Sequence, residues 1–448
     1  MKKHAKRGLA KPALNEVSVD MKKTVAFAFW VLTCFADAQG AAMNGGDGAN
    51  CMKPEAGVVL SAERNGHADK LKSLVPQIIA KSAAHYRALD AVATPLMWNK
   101  NGKPMIPRGF DHEKRTITMD PIQGWRTGHY PGSLWYLYEA TGDAFFKERA
   151  VAWTELLEPN RHLDRHHDVG FIIMCSFGNA RRIMKTDKYD SIIVDAAKAL
   201  SRRYSDSLGV IRSWGKVDDT KDFLVIPDNM MNLELLTAAE RLSGEKRFGK
   251  VACSHATVTM KNHFRTDGGT YHVLNYSQKD GRIQEIRRGQ GASCFTAWSR
   301  GQSWAIYGYT MMYRETGNRA YLDFARKVSD YAINHPNMPE DGIPYWDFGA
   351  PGEERDSSAG AVTAAGLIEL SKYVDSESGR AYLAFAAKQL LSLGSPAYFS
   401  EGDEVGHYLL KHGVGNKPGG SEIDTPLNYG DYYFLEALAR FKELTCAK

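Results

Sequence analysis

Tyr138-Glu-Ala-Thr-Gly142-Asp-Ala-Phe-Phe146 ends one apolar-periodic stretch on a glycine and opens another on aromatics. Glycine just past a helix takes the left-handed conformation that closes the last turn, after which a second helix can fold back. The arrangement recurs as Ala239-Glu-Arg-Leu-Ser-Gly244-Glu-Lys-Arg-Phe248 and as Tyr313-Arg-Glu-Thr-Gly317-Asn-Arg-Ala-Tyr321. Looser copies are Arg182-Ile-Met-Lys-Thr-Asp187-Lys-Tyr189 and Val374-Asp-Ser-Glu-Ser-Gly379-Arg-Ala-Tyr382. Each reads as helix, stop, helix, with stretches such as 146–157 and 321–333 supplying the returning helices.

The stops at 142, 187, 244, 317 and 379 are spaced by 45, 57, 73 and 62 residues. Helical pairs repeated at such periods stack into open solenoids or close into toroids. Stretches 68–86 and 432–444 supply one more pair. Six pairs predict an all-α fold, an (α/α)6 barrel with an inner and an outer ring; an open solenoid is the alternative. Trp125, Asp168, Asp228 and Arg300 precede their stops by 17, 19, 16 and 17 residues. An inner helix of about a dozen residues, rising ~1.5 Å per residue, fills most of each gap. All four therefore belong at the starts of inner helices, at one mouth of the barrel.

Composition is that of an ordinary globular protein, with 43% hydrophobic and 24% charged residues among 448. The net charge of +5 is concentrated in residues 1–38, where seven Lys/Arg outnumber three acids and leave +1 for the rest. A nearly neutral body gives no electrostatic case for nucleic acid. Met21-Lys22-Lys23, the apolar run 25–35 and Ala36-Asp37-Ala38 have the anatomy of a secretory signal peptide, with Met21 a candidate start. The expectation is a periplasmic or secreted protein without a membrane span, a signal over 1–38, a flexible segment over 39–55 and one catalytic domain over 56–448. Cys34 follows a poor lipoprotein box, and cleavage and lipidation both stay open. Five further cysteines, with long spacings and no CxxC, predict free thiols.

Two acids stand out for chemistry. Asp168 in Arg165-His166-His167-Asp168-Val169-Gly170-Phe171 and Asp228 in Val225-Ile226-Pro227-Asp228-Asn229-Met230 each precede an apolar run. Paired carboxylates at a pocket mouth suit sugar acid/base chemistry. The plainer alternative is that each only caps a helix, where Asp is favoured. Trp298-Ser-Arg300-Gly-Gln302-Ser-Trp304 sets an Arg between two Trp, suited to a carboxylate beside a stacked ring or to a structural stack. His272 sits in a β-like excursion without metal-ligand spacing, and Trp125 and Trp214 read as sugar platforms or core. Arg355-Asp356-Ser357-Ser358 reads as a helix cap with tight packing. No phosphate-cofactor or catalytic-metal motif occurs in usable context.

At these residues the chain resembles the unsaturated glucuronyl hydrolases, glycoside hydrolase family 88. The carrying segments are Trp125-(x)5-Pro131-Gly-Ser-Leu-Trp135, His167-Asp-Val-Gly-Phe171, Asp228-Asn-Met-Met-Asn-Leu-Glu234, Trp298-Ser-Arg-Gly-Gln-Ser-Trp304, Pro344-Tyr-Trp-Asp-Phe348 with Arg355-Asp-Ser-Ser358, and Asp431-Tyr-Tyr-Phe-Leu-Glu436. The resemblance implies an (α/α)6 barrel that removes the 4,5-unsaturated uronic acid left by polysaccharide lyases, by hydrating its vinyl ether without a metal or cofactor. It makes Asp228 the general acid/base and Asp168 its positioning partner. It surrounds the unsaturated sugar with His272, Arg300, Trp304, Trp125 and Trp214, and Gln302, Asn416 and Ser421 complete the candidate substrate-binding set. Two departures stand against it. Gly289, in Gly289-Gln-Gly-Ala292, replaces a His of many members, and Asn416-Lys-Pro-Gly-Gly-Ser421 replaces the Ser-x-x-Ser-x-Lys that reads sulfate. The other expectations are an unsaturated rhamnogalacturonyl hydrolase acting on pectin fragments and a non-catalytic oligosaccharide-binding barrel.

Overall fold

The computed structural model describes residues 63–446, so the signal and flexible segments expected before them lie outside the described residues. Thirteen helices follow. They are α1 (Glu63–Ala93), α2 (His129–Thr141), α3 (Ala144–Glu155), α4 (Val169–Ile173), α5 (Asn179–Met184), α6 (Asp190–Ser201), α7 (Asn229–Ser243), α8 (Lys246–Asn262), α9 (Ser299–Thr316), α10 (Arg319–Ile333), α11 (Ser357–Leu370), α12 (Ser376–Leu393) and α13 (Asn428–Cys446). A π-helical turn, Met174–Gly178, joins α4 and α5 into one inner rod. The inner ring runs α2, α4/α5, α7, α9, α11, α13 and closes back onto α2, while α1, α3, α6, α8, α10 and α12 surround it. This is the (α/α)6 barrel; ring closure by α13 against α2 excludes the open solenoid.

The glycine stops act as local geometry demands. Gly142, Gly244 and Gly317 cap α2, α7 and α9 with φ of 69°, 76° and 67°, each amide returning to the carbonyl four residues back. The looser copies need correction. The α4/α5 rod stops at Lys185, with φ 50°, two residues before Asp187. Gly379 is no stop: it lies in the first turn of α12, which Asp375 caps by accepting from the amides of Glu377 and Ser378. A β-carbon at 379 would sit 2.8 Å from the Ser371 carbonyl, so close approach calls for glycine there.

Close approach also governs the inner ring. A β-carbon at Gly170 would stand 2.5 Å from Asn232 Oδ1 and 2.6 Å from its Cα, and that same Oδ1 accepts the Phe171 amide at 2.8 Å. Backbone cannot yield as a side-chain tip can. Gly170→Ala is therefore expected to cost about 1–3 kcal/mol by overpacking, read as a lower urea midpoint with unchanged helical circular dichroism. A wild-type midpoint would show that α4 and α7 part freely.

Crossovers at the mouth form three small antiparallel sheets: 105–111 with 116–121, 204–205 with 210–211, and 224–225 with 273–276 and 283–287. The last confirms the β-like excursion expected beside His272. Cys175, Cys253 and Cys294 are free, as expected.

Candidate active site

Because the inner helices are parallel, their N-termini share one end. Asp168 precedes α4, Asp228 precedes α7, Arg300 lies in the first turn of α9, and Trp125 lies just before α2. Neither Asp168 nor Asp228 uses its side chain to cap its helix. Asp356, by contrast, caps α11 through the Ser358 amide, as the sequence suggested. Capping thus accounts for Asp356 and not for the paired acids.

Ser213 ties the two acids together. Its carbonyl accepts the His167 amide at 2.8 Å, and its hydroxyl accepts the amide of Ile226, two residues before Asp228, at 3.0 Å. Trp214 follows directly and is 38% exposed, which places it on the rim and not in the core.

The two carboxyls have opposite environments. Asp168 lies 3.1 Å from His166 Nδ1 and 3.1 Å from Nε2 of the buried His167. Burial would raise its pKa, but the charges and hydrogen bonds of the two imidazoles outweigh that and hold it below the usual carboxylate range. Asp228 has no such partner: its Oδ1 is buried without a hydrogen bond among the described residues. Burial pushes it up to about 7, the Asp168 charge adding to the rise while His167 and Arg300 oppose it. Asp431 is also raised to about 7 by burial, yet it accepts from the Leu409 and Leu410 amides and the Tyr86 hydroxyl. Asp431 is a structural acid, whereas Asp228 retains a free acceptor at the mouth.

His272 precedes the strand 273–276, its ring 4.3 Å from that of Trp298. Nδ1 accepts the Gln290 amide at 2.8 Å, and Nε2 lies 4.0 Å from Asp228 Oδ1, beyond hydrogen-bond distance. Burial lowers its pKa to about 3. On the other side of the network, Arg300 stacks on Trp298 at 4.4 Å and Tyr429 at 5.3 Å. Its guanidinium donates to Asp356 Oδ2 at 2.7 Å, to the Gly415 carbonyl at 2.7 Å and to the Val414 carbonyl. The carboxylate that Arg300 holds beside a stacked ring is that of Asp356, which is the structural alternative the sequence offered.

The remaining candidates divide. Trp125 is half-buried against Tyr429 and Phe171 beside the mouth. Trp304 is fully buried among Phe171 and Tyr433, one layer deeper. Asn416 and the exposed Ser421 face each other across a hairpin tip, at whose root the Val414 and Gly415 carbonyls receive Arg300. Gln302 does not join the site and is corrected here. It is wholly buried, accepts from the Thr270 amide and donates to the Gly268 and Val328 carbonyls, which spends it on tying α9 to α10. Trp298 was legible as a ring beside Arg300, whereas no site role could be read for His166, His167, Ser213 or Gln290. The two histidines were visible beside Asp168, but the Ser213 and Gln290 contacts join residues 13 to 46 positions apart and leave no local signal.

A cavity of about 1570 Å³ lies at the opposite end of the barrel. Ion pairs among Glu234, Arg314, Glu369, Arg440 and Glu436 ring it. Its charges are mutually compensated, so the chemistry belongs to the other mouth.

Helical hairpins closed in a ring, with one pinned carboxylate and one protonatable carboxyl at the inner N-termini, fit a glycoside hydrolase built on an (α/α)6 barrel. No family model matches the chain. An unsaturated glucuronyl hydrolase of Formosa agariphila is 42% identical over 347 residues, covering 77% of this chain and 86% of that protein. An unsaturated chondroitin disaccharide hydrolase of Streptococcus pyogenes serotype M1 is 31% identical, covering 79% and 90%. A crystal structure of an unsaturated glucuronyl hydrolase specific for heparin, 37% identical, superposes with a TM-score of 0.76 over 82% of this chain and 98% of that one. With that identity over that length, the chain belongs to the unsaturated glucuronyl hydrolase family.

Proposed function

We propose that the enzyme removes the 4,5-unsaturated uronic acid from the non-reducing end of lyase-generated oligosaccharides, with Asp228 as general acid/base. The observation that carries this is the largely buried Asp228 carboxyl, its Oδ1 without a hydrogen bond among the described residues, held protonatable at about 7 beside an ionised Asp168. In the first step the Asp228 proton goes to C4 of the vinyl ether, and the cation forms at C5, shared with the ring oxygen. Water then adds to C5 and returns its proton to Asp228. The resulting hemiketal opens to a C5 ketone, and C1 expels the remaining sugar as its hydroxyl, so one water is consumed overall. Asp168 keeps its negative charge throughout and disfavours ionisation of Asp228. Trp214 and Trp125 offer apolar faces for the sugar.

The names of the relatives favour glycosaminoglycan-derived disaccharides over pectic ones. The basic, apolar and small-residue run over 21–38 supports export to the periplasm or medium.

The test follows the ultraviolet absorbance of unsaturated disaccharides from glycosaminoglycan and pectic lyases. Decay on the former establishes the reading; decay on pectic fragments alone moves the substrate class, and binding without decay points to a sugar-binding barrel. The pH dependence has a definite sign. Asp228 must carry its proton to act as the acid, so kcat is expected to fall as pH rises through about 7. Asp168 adds no limb there, because it titrates below the carboxylate range. A profile still rising at pH well above 7 would remove Asp228 as the acid.

A further inference from the structure

We infer that Gly289 and the backbone amide of Gln290 lock the His272 ring in one tautomer, its single proton on Nε2 facing Asp228. The inference deepens the reading of Asp228 above and rests on it for its catalytic meaning. Three observations carry it. The Gln290 N–H points at Nδ1 from 2.8 Å, and a donor there requires Nδ1 to hold a lone pair. Nε2 is buried, has no partner among the described residues and lies 4.0 Å from Asp228 Oδ1. Gly289 has φ 60°, and a β-carbon on it would stand 2.3 Å from His272 Nδ1 and 2.7 Å from Val273 Cγ2. A side chain at 289 would thus occupy the place through which the amide reaches the ring.

The amide is itself held still. Gln290 Nε2 donates to the Gly415 carbonyl at 2.8 Å, the carbonyl that also receives Arg300. Asp347 accepts the Ala292 amide at 2.9 Å and the Thr296 hydroxyl at 3.1 Å, anchoring the next turn. Burial keeps the imidazole neutral, so one proton must be placed on one of two nitrogens. Trp298 stacks on the ring and sets its plane. Gly289, by leaving room for the amide to reach the ring, therefore acts as a positioning residue. The competing arrangement puts the proton on Nδ1, and the Arg288 backbone, which favours a protonated ring, would support it.

The experiment labels histidine with 15N in the full chain and reads the tautomer from long-range 1H–15N correlations, with His272→Gln assigning the signals. A bare Nδ1 and a protonated Nε2 are expected in the wild type. Gln290→Ala keeps the amide and is expected to keep that pattern. Gln290→Pro removes the N–H and is expected to lose it, with kcat on the order of 10-fold lower than for Gln290→Ala at similar KM. Gly289→Ala is expected to displace the amide and mix the tautomers. A protonated Nδ1 in the wild type overturns the inference, as does an unchanged pattern in Gln290→Pro. The wild-type spectrum decides even where a variant does not fold. It also decides without any sugar being turned over, so failure of the proposed activity and failure of the lock are separate results.

Discussion

Asp228→Asn is expected to lower kcat on lyase-generated unsaturated disaccharides by about 10³-fold, within the range lost when a general acid/base is removed. Asparagine keeps the volume and one acceptor but has no proton to give C4. Binding should change little, because only the transition state uses that proton. Stability supplies the control. Asp228 is raised from 3.8 to about 7, so between those values the native state holds a proton that the unfolded chain releases. Wild-type stability therefore carries a contribution that is complete below about pH 4, shrinks as pH rises and is gone above about 7. Asp228→Asn should lack this slope and unfold no more easily than the wild type above pH 7. A variant that keeps more than a tenth of wild-type turnover would assign the acid elsewhere.

Asp356→Ala carries the largest expected effect on stability. Asp356 and Arg300 are both almost wholly buried and 2.7 Å apart, and the second carboxylate oxygen accepts from the Ser358 amide and hydroxyl. Removing it strands a guanidinium in the barrel wall and uncaps α11. Breaking a buried pair from one side costs about 3–5 kcal/mol, most of it the desolvation of the charge left behind. The Val414 and Gly415 carbonyls still accept from Arg300, so the lower end of that range is favoured. Asp356→Asn should recover part of the loss, since its oxygen can still accept. Urea midpoints of the three proteins measure this. Equal midpoints for wild type and Asp356→Ala would mean that water reaches Arg300 freely.

These expectations show how unevenly the site could be read from sequence. The phase of Trp125, Asp168, Asp228 and Arg300 before their helix stops was enough to place them at one mouth. Helix pitch is uniform, so counting residues amounts to measuring distance. Gln302 fails by the same logic. It stands one turn-fragment beyond Arg300 in a shared motif, yet the rotation of α9 carries its amide toward α10 and away from the mouth. Spacing locates a residue along a helix, but packing decides its side. Gly379 misled for a related reason, since a glycine required by close approach looks like a glycine required by a left-handed stop.

What the sequence by itself determined is what local physics encodes: the helical pairs, the left-handed glycines that end α2, α7 and α9, the Asp356 cap and the convergence on one mouth. Each depends on interactions spanning about a turn of chain, and these leave a periodic trace. Only the tertiary structure decided which acid is protonated. Asp168 and Asp228 both precede an apolar run, and they differ because the fold turns the adjacent His166 and His167 rings onto one carboxylate and leaves the other with no imidazole within hydrogen-bond distance. It likewise decided that Arg300 is spent on Asp356 and that the Gln290 amide meets His272. Desolvation and charge pairing depend on neighbours brought from distant parts of the chain and on how adjacent side chains are turned, so residue order alone does not record them.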